Sequence, residues 1–596
     1  LSAVHGGHAE VGHAVGGTGI FWLVHGKFNA VFERLRARYK DLLAFSLHHR
    51  GPVAAGFGVF VFGSMLLLFV VGRDFFPYVD SGQMRMHVRA PVGTRIEETE
   101  RLFGEIEDEI RRIIPSRDLD TILDNIGLPN GGFNLAFSDS SVIGQSDGDI
   151  LISLKENREL DTKHYERELR KILNEKFPQA LFYFQAANIT NQILNFGLPA
   201  PIDVQLVGRD PKNYSIAVEL ARHIAKVPGA VDVHVHQQIG YPEVQVNVDR
   251  TKAGQVGLTQ RDVSNSLLIS LAGSGQVAPN QWLNFDNGVN YDVGVQTPQY
   301  RIQSLDDLKK TPISSGSQRT ASTTQAGTVN DMTTYGAPGD TQLLQNLATF
   351  KRTSSVSIVN HYNVQPVYDV YANTDRRDLG GVAGDVEKIV AEFQHKIPPA
   401  SFFVVRGQVL TMQSSFVRLG LGLLFAILLV YLLMVVNFQS WLDPFIILMA
   451  IPGALAGILW MLFATGTTLN VPSLMGSIMC IGVSTANSIL VVTFANQQRF
   501  EGHNAMDAAL LAGYTRIRPV IMTAAAMIIG MMPMALGFGE GGEQNAPLGR
   551  AVIGGLLVAT FTTLIFVPIM YTFLRRKPPV HIEREIDHEA HEGETV

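Results

Sequence analysis

Residues 416–436 read FVRLGLGLLFAILLVYLLMVV, with one charge, Arg418, near the start. A helix needs about 20 mostly apolar residues to cross a hydrocarbon core about 30 Å thick, so this stretch predicts a membrane span. Five more stretches pass the same test: 51–72, 443–465, 471–495, 518–538 and 549–573. The first span stands alone, residues 73–415 intervene, and the other five succeed one another through short turns. The pattern is one excursion and then a packed bundle.

Composition agrees with a chain that is part membrane and part water-facing. Its 596 residues are 46% hydrophobic and only 17% charged, against about 25% charged in soluble chains, and mean hydropathy is +0.14. That excludes a disordered chain, and a net charge of −6 supplies no polycationic surface for nucleic acid. A single cysteine, Cys480, excludes an intramolecular disulfide framework and a multi-cysteine metal site. The chain starts at Leu1 without a secretory signal and is read as a mature piece or a fragment.

Lys and Arg near span ends set orientation. Lys27, Arg34, Arg36, Arg38, Lys40 and Arg50 precede the first span, Arg499, Arg516 and Arg518 lie in the turn 496–518, and Arg575, Arg576 and Lys577 come after the last. Six alternating spans put all three groups on one side, expected to be cytoplasmic, with 73–415 and the acidic turn at Glu540 and Glu543 outside. Residues 27–47 place Phe28, Val31, Phe32, Leu35, Tyr39, Leu42 and Leu43 at helical spacing between basic residues. That predicts an amphipathic helix on the cytoplasmic interface.

The excursion reads as three β-α-β units. In the first, strand Met84–Val88 leads to a helix with Ile96, Phe103, Ile106, Ile110 and Ile113 on one face. Thr94 and Glu97 have capping-box spacing at its start, and Pro115 ends it. The second has strand Ile202–Leu206, a helix after Pro211, and strands Val231–Val235 and Val244–Val248. The third has strand Val367–Tyr371, a helix ending near Phe393, and strand Phe402–Val405. Helices on one face of a sheet are expected from that order. Residues 250–345 break the pattern: a helix Gln260–Ser270 capped by Thr259, then Gly/Ser/Thr-rich sequence at 314–340 that suits a loop or a docking extension.

Several motifs carry a resemblance. Phe75-Phe76-Pro77 to Asp80-Ser81-Gly82, Pro91-Val92-Gly93-Thr94, Val248-Asp249-Arg250 through Gly257-Leu258 and Asp262-Val263, and Arg518-Pro519 to Met522-Thr523 occur in the order found in resistance–nodulation–division (RND) exporters. From about residue 25 the chain resembles the C-terminal half of a hydrophobe/amphiphile efflux permease. The resemblance implies an α+β membrane protein with a six-helix bundle, half of a twelve-span pump, plus periplasmic β-α-β porter subdomains and a docking insertion. The implied layout begins with a cytoplasmic segment 1–50 bearing the interfacial helix and a transmembrane helix 51–72. A porter subdomain 73–198 comes next, with a second from 199–249 and 346–415 around a funnel insertion 250–345. A five-helix bundle 416–573 and an acidic, His-containing cytoplasmic tail 574–596 complete it. It further implies a bacterial inner-membrane homotrimer, an N-terminal half, a periplasmic adaptor, an outer-membrane channel, proton exchange and small hydrophobic substrates.

Groups that change charge inside a membrane are costly enough to mark function, and none lies near mid-span. Arg418, Asp443 and Arg550 sit at span ends, where snorkelling or an interfacial position accounts for them. The interior offers Ser484, Thr485, Asn487 and Ser488 on one span and Thr523 on the next, which suit interhelical hydrogen bonds as well as the flank of a proton path. Against the family, Arg516 and Thr523 match the relay arginine and threonine, with Asn487 nearby. Ala486 stands where the relay lysine is usual. The family's paired aspartates belong to the other half.

For substrate contacts, drug-type pockets are mostly apolar and aromatic. The stretch 127–137 (GLPNGGFNLAF) matches the family's switch loop, with Phe133 and Phe137 as contacts; an ordinary loop packed on the core is the plainer alternative. In Leu181–Gln185 (LFYFQ) one strand face is core and the other pocket, and the resemblance turns Tyr183 to the pocket. No cofactor and no metal site is expected. His5, His8, His13, His588 and His591 read as solvated histidines on the ends, and Met84 and Met86, on one strand face with Val88, read as core rather than soft-metal ligands. The G-x-G at 537–539 comes after a span, and no P-loop, HExxH or nucleophile elbow occurs, so the chain is not read as an enzyme. Two alternatives stand beside drug efflux: heavy-metal export, and a non-transporting assembly half whose relay has decayed.

Overall fold

The computed structural model describes residues 20–127, 144–195, 197–276, 280–314, 341–539 and 541–575. Six helical segments within them are long and apolar enough to cross a membrane: Arg50–Phe69, Gln408–Phe438, Leu442–Ala464, Val471–Phe500, Ala505–Leu536 and Gly542–Leu574. They coincide with the six expected spans. The sixth is the most buried and the first two the least, so the sixth is the central post. A Cβ on Gly457 would fall against the Gly554 carbonyl oxygen, and one on Gly554 against the Cβ of Met461. Third and sixth spans therefore touch backbone to backbone, the small-residue packing that joins helices where lipid removes the hydrophobic drive.

Polar bonds at the two ends show that the fourth and sixth spans run opposite to the third. At one end Asp443, 1% exposed, accepts from Asn496 Nδ2 and Arg575 Nη2, each at 3.1 Å, and the Tyr571 hydroxyl donates to Asn496 Oδ1 at 2.7 Å. That joins the start of the third span to the ends of the fourth and sixth. At the other end Arg550 donates from Nη1 to Thr467 Oγ1 at 2.7 Å and from Nε to the Ala535 carbonyl at 3.0 Å. Asp443 and Arg550, expected to snorkel or to sit at the interface, tie helix ends together, because a charge on a packed bundle face reaches partners sooner than water. Arg418 is exposed.

The expected interfacial helix is α1 (Ile20–His48). Tyr39, Leu43 and Leu47 are buried against the bundle, whereas Val31, Leu35, Leu42 and Phe45 on the neighbouring face are exposed. Tyr39 donates to the Leu564 carbonyl at 2.7 Å, inside a π-helical turn, Thr562–Phe566, whose altered ladder frees carbonyls for outside donors. The Arg36 guanidinium lies 3.9 Å from the Tyr514 ring centroid.

Outside the spans, β1 (Gln83–Arg89), β2 (Leu119–Ile126), β3 (Asp147–Leu154) and β4 (Leu181–Gln185) form an antiparallel sheet in the order β2-β3-β1-β4. Met84, Met86 and Val88 pack with Ile150, Ile152, Phe182 and Phe184 under α2 (Ile96–Ile113) and α3 (Thr162–Lys176). The capping box at Thr94 does not form. Its hydroxyl donates to the Pro91 carbonyl at 2.7 Å and Arg95 holds the cap position with no side-chain bond, because the Pro91–Gly93 turn starts the helix one residue later. Glu97 and Glu98 in the first turn still offset the helix dipole.

The second and third units close into one sheet. β5 (Ile202–Val207), β6 (Ala230–Val235), β13 (Asn360–Tyr362), β14 (Gln365–Thr374) and β15 (Phe402–Gly407) are joined around β14 and β5. α4 (Lys212–Ile224) and α6 (Leu379–Phe393) cover one face; α5 (Gln260–Ala272) carries the expected Thr259 cap. β7 (Tyr241–Val248) is not in that sheet. It pairs with β12 (Ala348–Ser355) as a ribbon whose far end, Val248 opposite Ala348, lies beside the boundaries expected at 249 and 346. Beyond it lie a hairpin of β8 (Asn280–Asn284) with β9 (Val289–Val293) and a short pair, β10 (Pro312–Ile313) with β11 (Gln342–Leu343).

Arg170 on α3 forms a bidentate pair with Asp232 on β6, at 2.7 and 2.9 Å, and Arg167 meets Asp375 at 2.9 Å. These pairs bolt the two subdomains together. We expect Asp232→Asn, which keeps the side chain's shape, to cost about 3 kcal/mol by stranding Arg170, read as lowered stability of the two subdomains by hydrogen exchange. Gly554→Ala should cost about 1–3 kcal/mol by overpacking. Gly482→Ala, with open space around its Cα, should be neutral or gain up to about 1 kcal/mol; thermal unfolding in detergent compares them.

Candidate functional site

Two features carry chemistry: a cavity outside the spans and a polar contact within them. The cavity, about 220 Å³, lies where both subdomains meet the segment after the first span. Phe75, Phe76 and Tyr78 come from that segment, Glu166 and Arg170 from α3, Phe184 from β4, and Asn373 and Leu379 from the second subdomain. Lys163 Nζ sits 4.2 Å from the Tyr78 ring centroid. Burial pushes the Glu166 carboxyl up to about 7, against the pull of Arg170 and Lys163. The site is thus mixed, aromatic rings standing beside charged and amide side chains such as Asp74, Gln185, Asn195 and Arg377, with an acid that titrates near neutrality.

The cavity floor is strapped to the bundle. The Asp74 amide donates to the Leu469 carbonyl at 3.0 Å, Leu469 N to Gly72 O at 2.8 Å and Val471 N to Phe75 O at 3.2 Å. On its other side the same segment holds the start of α6. Leu379 N donates to Asp74 Oδ1 at 2.7 Å, Gly380 N to Arg73 O at 2.8 Å, and Asp378 accepts from the amides of Arg73 and Gly381 at 2.9 and 2.8 Å. A shift of the loop between third and fourth spans therefore moves the second subdomain directly. β15 also runs straight into the second span, Gln408–Phe438.

Within the membrane, Thr523 Oγ1 donates to Asn487 Oδ1 at 2.9 Å. Seven residues along on each antiparallel helix, the Arg516 guanidinium lies 4.8 Å from the Phe494 ring centroid, and Arg516 Nε is buried without a hydrogen-bond partner among the described residues. Ala486 and Thr523 are exposed on the bundle surface. Ser488 bonds Thr563 across helices at 3.1 Å, the bridging role its residue type suggested. The sequence-derived residues Asn487, Thr523 and Arg516 thus line one helix–helix groove, with Ala486 at its open edge.

Phe133 and Phe137 lie outside the described residues, as do the histidines of the two ends. Tyr183 does not face a cavity. It is 1% exposed and stacks between His87 at 4.6 Å and His234 at 3.8 Å, because the sheet face opposite the helices meets the second subdomain instead of solvent. Its neighbour Phe184 reaches the cavity. Sequence reasoning missed Glu166 and the histidines; the alternation in VDVHVH at 231–236 was the available signal, since polar residues on one strand face beside an apolar one mark a second buried surface.

Comparison with known proteins fits this architecture. The cation efflux system protein CzcA of Alcaligenes sp. (strain CT14) is 26% identical over 555 residues, 92% of this chain and 50% of that protein. The toluene efflux pump membrane transporter TtgB of Pseudomonas putida is 25% identical over 554 residues, 92% and 49%. The crystal structure of a heavy metal efflux pump (crystal form II) superposes with a TM-score of 0.73 at 23% identity, covering 92% of this chain and 52% of that one. The chain spans about half the length of the curated relatives it matches. The AcrB/AcrD/AcrF family profile matches residues 11–575, and with that breadth of match the chain belongs to this family of resistance–nodulation–division proteins.

Proposed function

We propose that the chain is one half of an inner-membrane efflux permease that exports hydrophobic or amphiphilic compounds. The observation carrying this reading is the cavity of mixed aromatic and polar lining at the subdomain junction, which suits an amphiphile and is bonded to the bundle through Gly72–Phe75. Substrate enters beside Phe76, Tyr78 and Phe184, and rocking of the subdomains, driven through the strap, expels it outward. The second half comes from the same polypeptide or another chain; the doubled length of the relatives supports this. So does the exposed flank bearing Ala486 and Thr523, since small and hydroxylated residues suit a helix–helix contact. That half supplies the proton-carrying acids, with Thr523, Asn487 and Arg516 bordering them. Both ends are cytoplasmic, the large loop is periplasmic, and a homotrimer works with an adaptor and an outer-membrane channel, the insertion 250–345 being the docking part.

Metal export is the second reading, favoured by the similarity to CzcA. Against it, Met84 and Met86 are core residues, 1% and 0% exposed, as their strand face suggested.

Two measurements on the complete pump separate these readings. Tyr78→Ala, at an exposed position, should lower efflux of an amphiphilic dye about 5- to 10-fold, the loss of one aromatic contact worth about 1 kcal/mol, and leave cobalt and zinc tolerance unchanged. Loss of metal tolerance with normal dye efflux would reverse the assignment. Because the Glu166 carboxyl is charged only above about pH 7, efflux of a cationic dye should rise from about pH 6 to about pH 8, and Glu166→Gln should flatten that rise. An equal rise in the variant would remove Glu166 from the site.

A further inference from the structure

The two subdomains meet along polar sheet faces that are fully closed off from water. In the first, Met84, Met86 and Val88 point to the helices, which turns Arg85, His87 and Arg89 to the other side. In the second, Val233 and Val235 lie toward the core, which turns Asp232 and His234 outward, with His236 just beyond β6. Where these faces abut, His87, Arg89, Tyr183, His234, His236 and Tyr371 are each 6% exposed or less. The edge contact is made by side chains: Asn373 Nδ2 donates to the Phe184 carbonyl at 2.6 Å, Phe184 N to Asp232 Oδ2 at 3.3 Å, and Arg89 Nη1 to the His236 carbonyl at 3.1 Å.

The three histidines are in different electrostatic situations. His87 lies between carboxylates, with Nδ1 2.7 Å from Asp149 and Nε2 3.3 Å from Asp147, so both its nitrogens suit N–H donors. His234 is the reverse. Its Nδ1 donates to the Asp232 carbonyl at 2.8 Å, which leaves Nε2 as the bare nitrogen, buried with no hydrogen-bond partner among the described residues; His236 Nδ1 is likewise unpartnered. Facing the pair are Arg89 and His87 from β1, Tyr183 from β4, Tyr371 from β14 and Asp147 from β3. A proton on either imidazole would place a cation in a dry seam beside an existing guanidinium.

We propose that this seam is a proton-linked latch outside the membrane: His234 and His236 must be neutral for the two subdomains to close, and acidification opens them. This is independent of the substrate reading and of the groove containing Thr523.

Linkage gives the sign. Burial, and then Arg89 and the neighbouring histidines, push His234 well below the imidazole range and His236 down to about 3. Opened to water, each returns to about 6.5. A group whose pKa is depressed on closing, and which is neutral when deprotonated, favours closure above its open value and opposes it as pH falls below. Between about pH 7.5 and about pH 5.5 the closed:open ratio should fall about tenfold per histidine, hence about a hundredfold for two. Asp203, whose carboxyl is pushed well above the usual range by burial and by Asp369, carries the opposite linkage. Its bond is to Gln205, which also reaches Asp369, so it stays within the second subdomain when the seam opens.

The test uses the complete pump in lipid nanodiscs, with spin labels on Lys171→Cys in α3 and Arg222→Cys in α4, both exposed; Cys480 is buried. Wild-type distance distributions should shift from a short to a long population between about pH 7.5 and about pH 5.5. His234→Gln with His236→Gln, whose amides do not titrate, should stay short over that range, and His234→Gln alone should retain about a tenfold shift. An unchanged wild-type distribution, a shift toward the short population in acid, or a full shift surviving in both glutamine variants would overturn the latch.

Discussion

Hydrocarbon cannot accept or donate hydrogen bonds, and the bundle is organised around that constraint. Every span satisfies its backbone internally as a helix, so side chains are left to settle how the helices meet. The sixth span meets the third through Gly457 and Gly554, where two backbones approach with no side chain between them. At the helix ends Asp443 with Arg575 and Arg550 with Thr467 fasten one span to another. Even the π-helical turn at Thr562–Phe566 is served from outside, by the Tyr39 hydroxyl.

Beyond the spans the constraint is reversed. Water surrounds the sheets, yet each carries polar residues on a face that becomes buried. A two-layer α/β unit buries one sheet face under its helices; the opposite face is polar because it meets another polar face, not because it meets solvent. This produces the Arg170–Asp232 pair, the histidine–tyrosine stack and the Gln205 bridge between Asp203 and Asp369. A seam built of paired charges is specific and separable, whereas an apolar seam would fuse the subdomains. The Gly72–Phe75 strap then links this separable pair to the bundle.

Much of the architecture was legible in the chain. Spans could be counted because membrane crossing imposes a length and a composition, and the helix face of α2 because 3.6-residue periodicity marks a buried stripe. Thr259 was legible as a cap because its box is local. Thr94 looked identical in spacing, but the preceding turn redirected its hydroxyl to Pro91. Tyr183 was misplaced for a related reason: alternation reveals that a strand has two faces, not what covers the second.

The amino-acid order by itself therefore determined the features that solvent and periodicity impose: six spans, helices on one face of each sheet, Met84 and Met86 in the core, and the placing of Asn487 and Thr523 on adjacent spans. Only the tertiary structure decided that β7 leaves its expected sheet for the ribbon with β12, that Glu166 faces a cavity of mixed lining, and that His87, Tyr183 and His234 stack in one closed seam. Those residues are far apart along the chain, and no local rule of spacing or composition ties them together. Their chemistry comes from being brought out of water side by side.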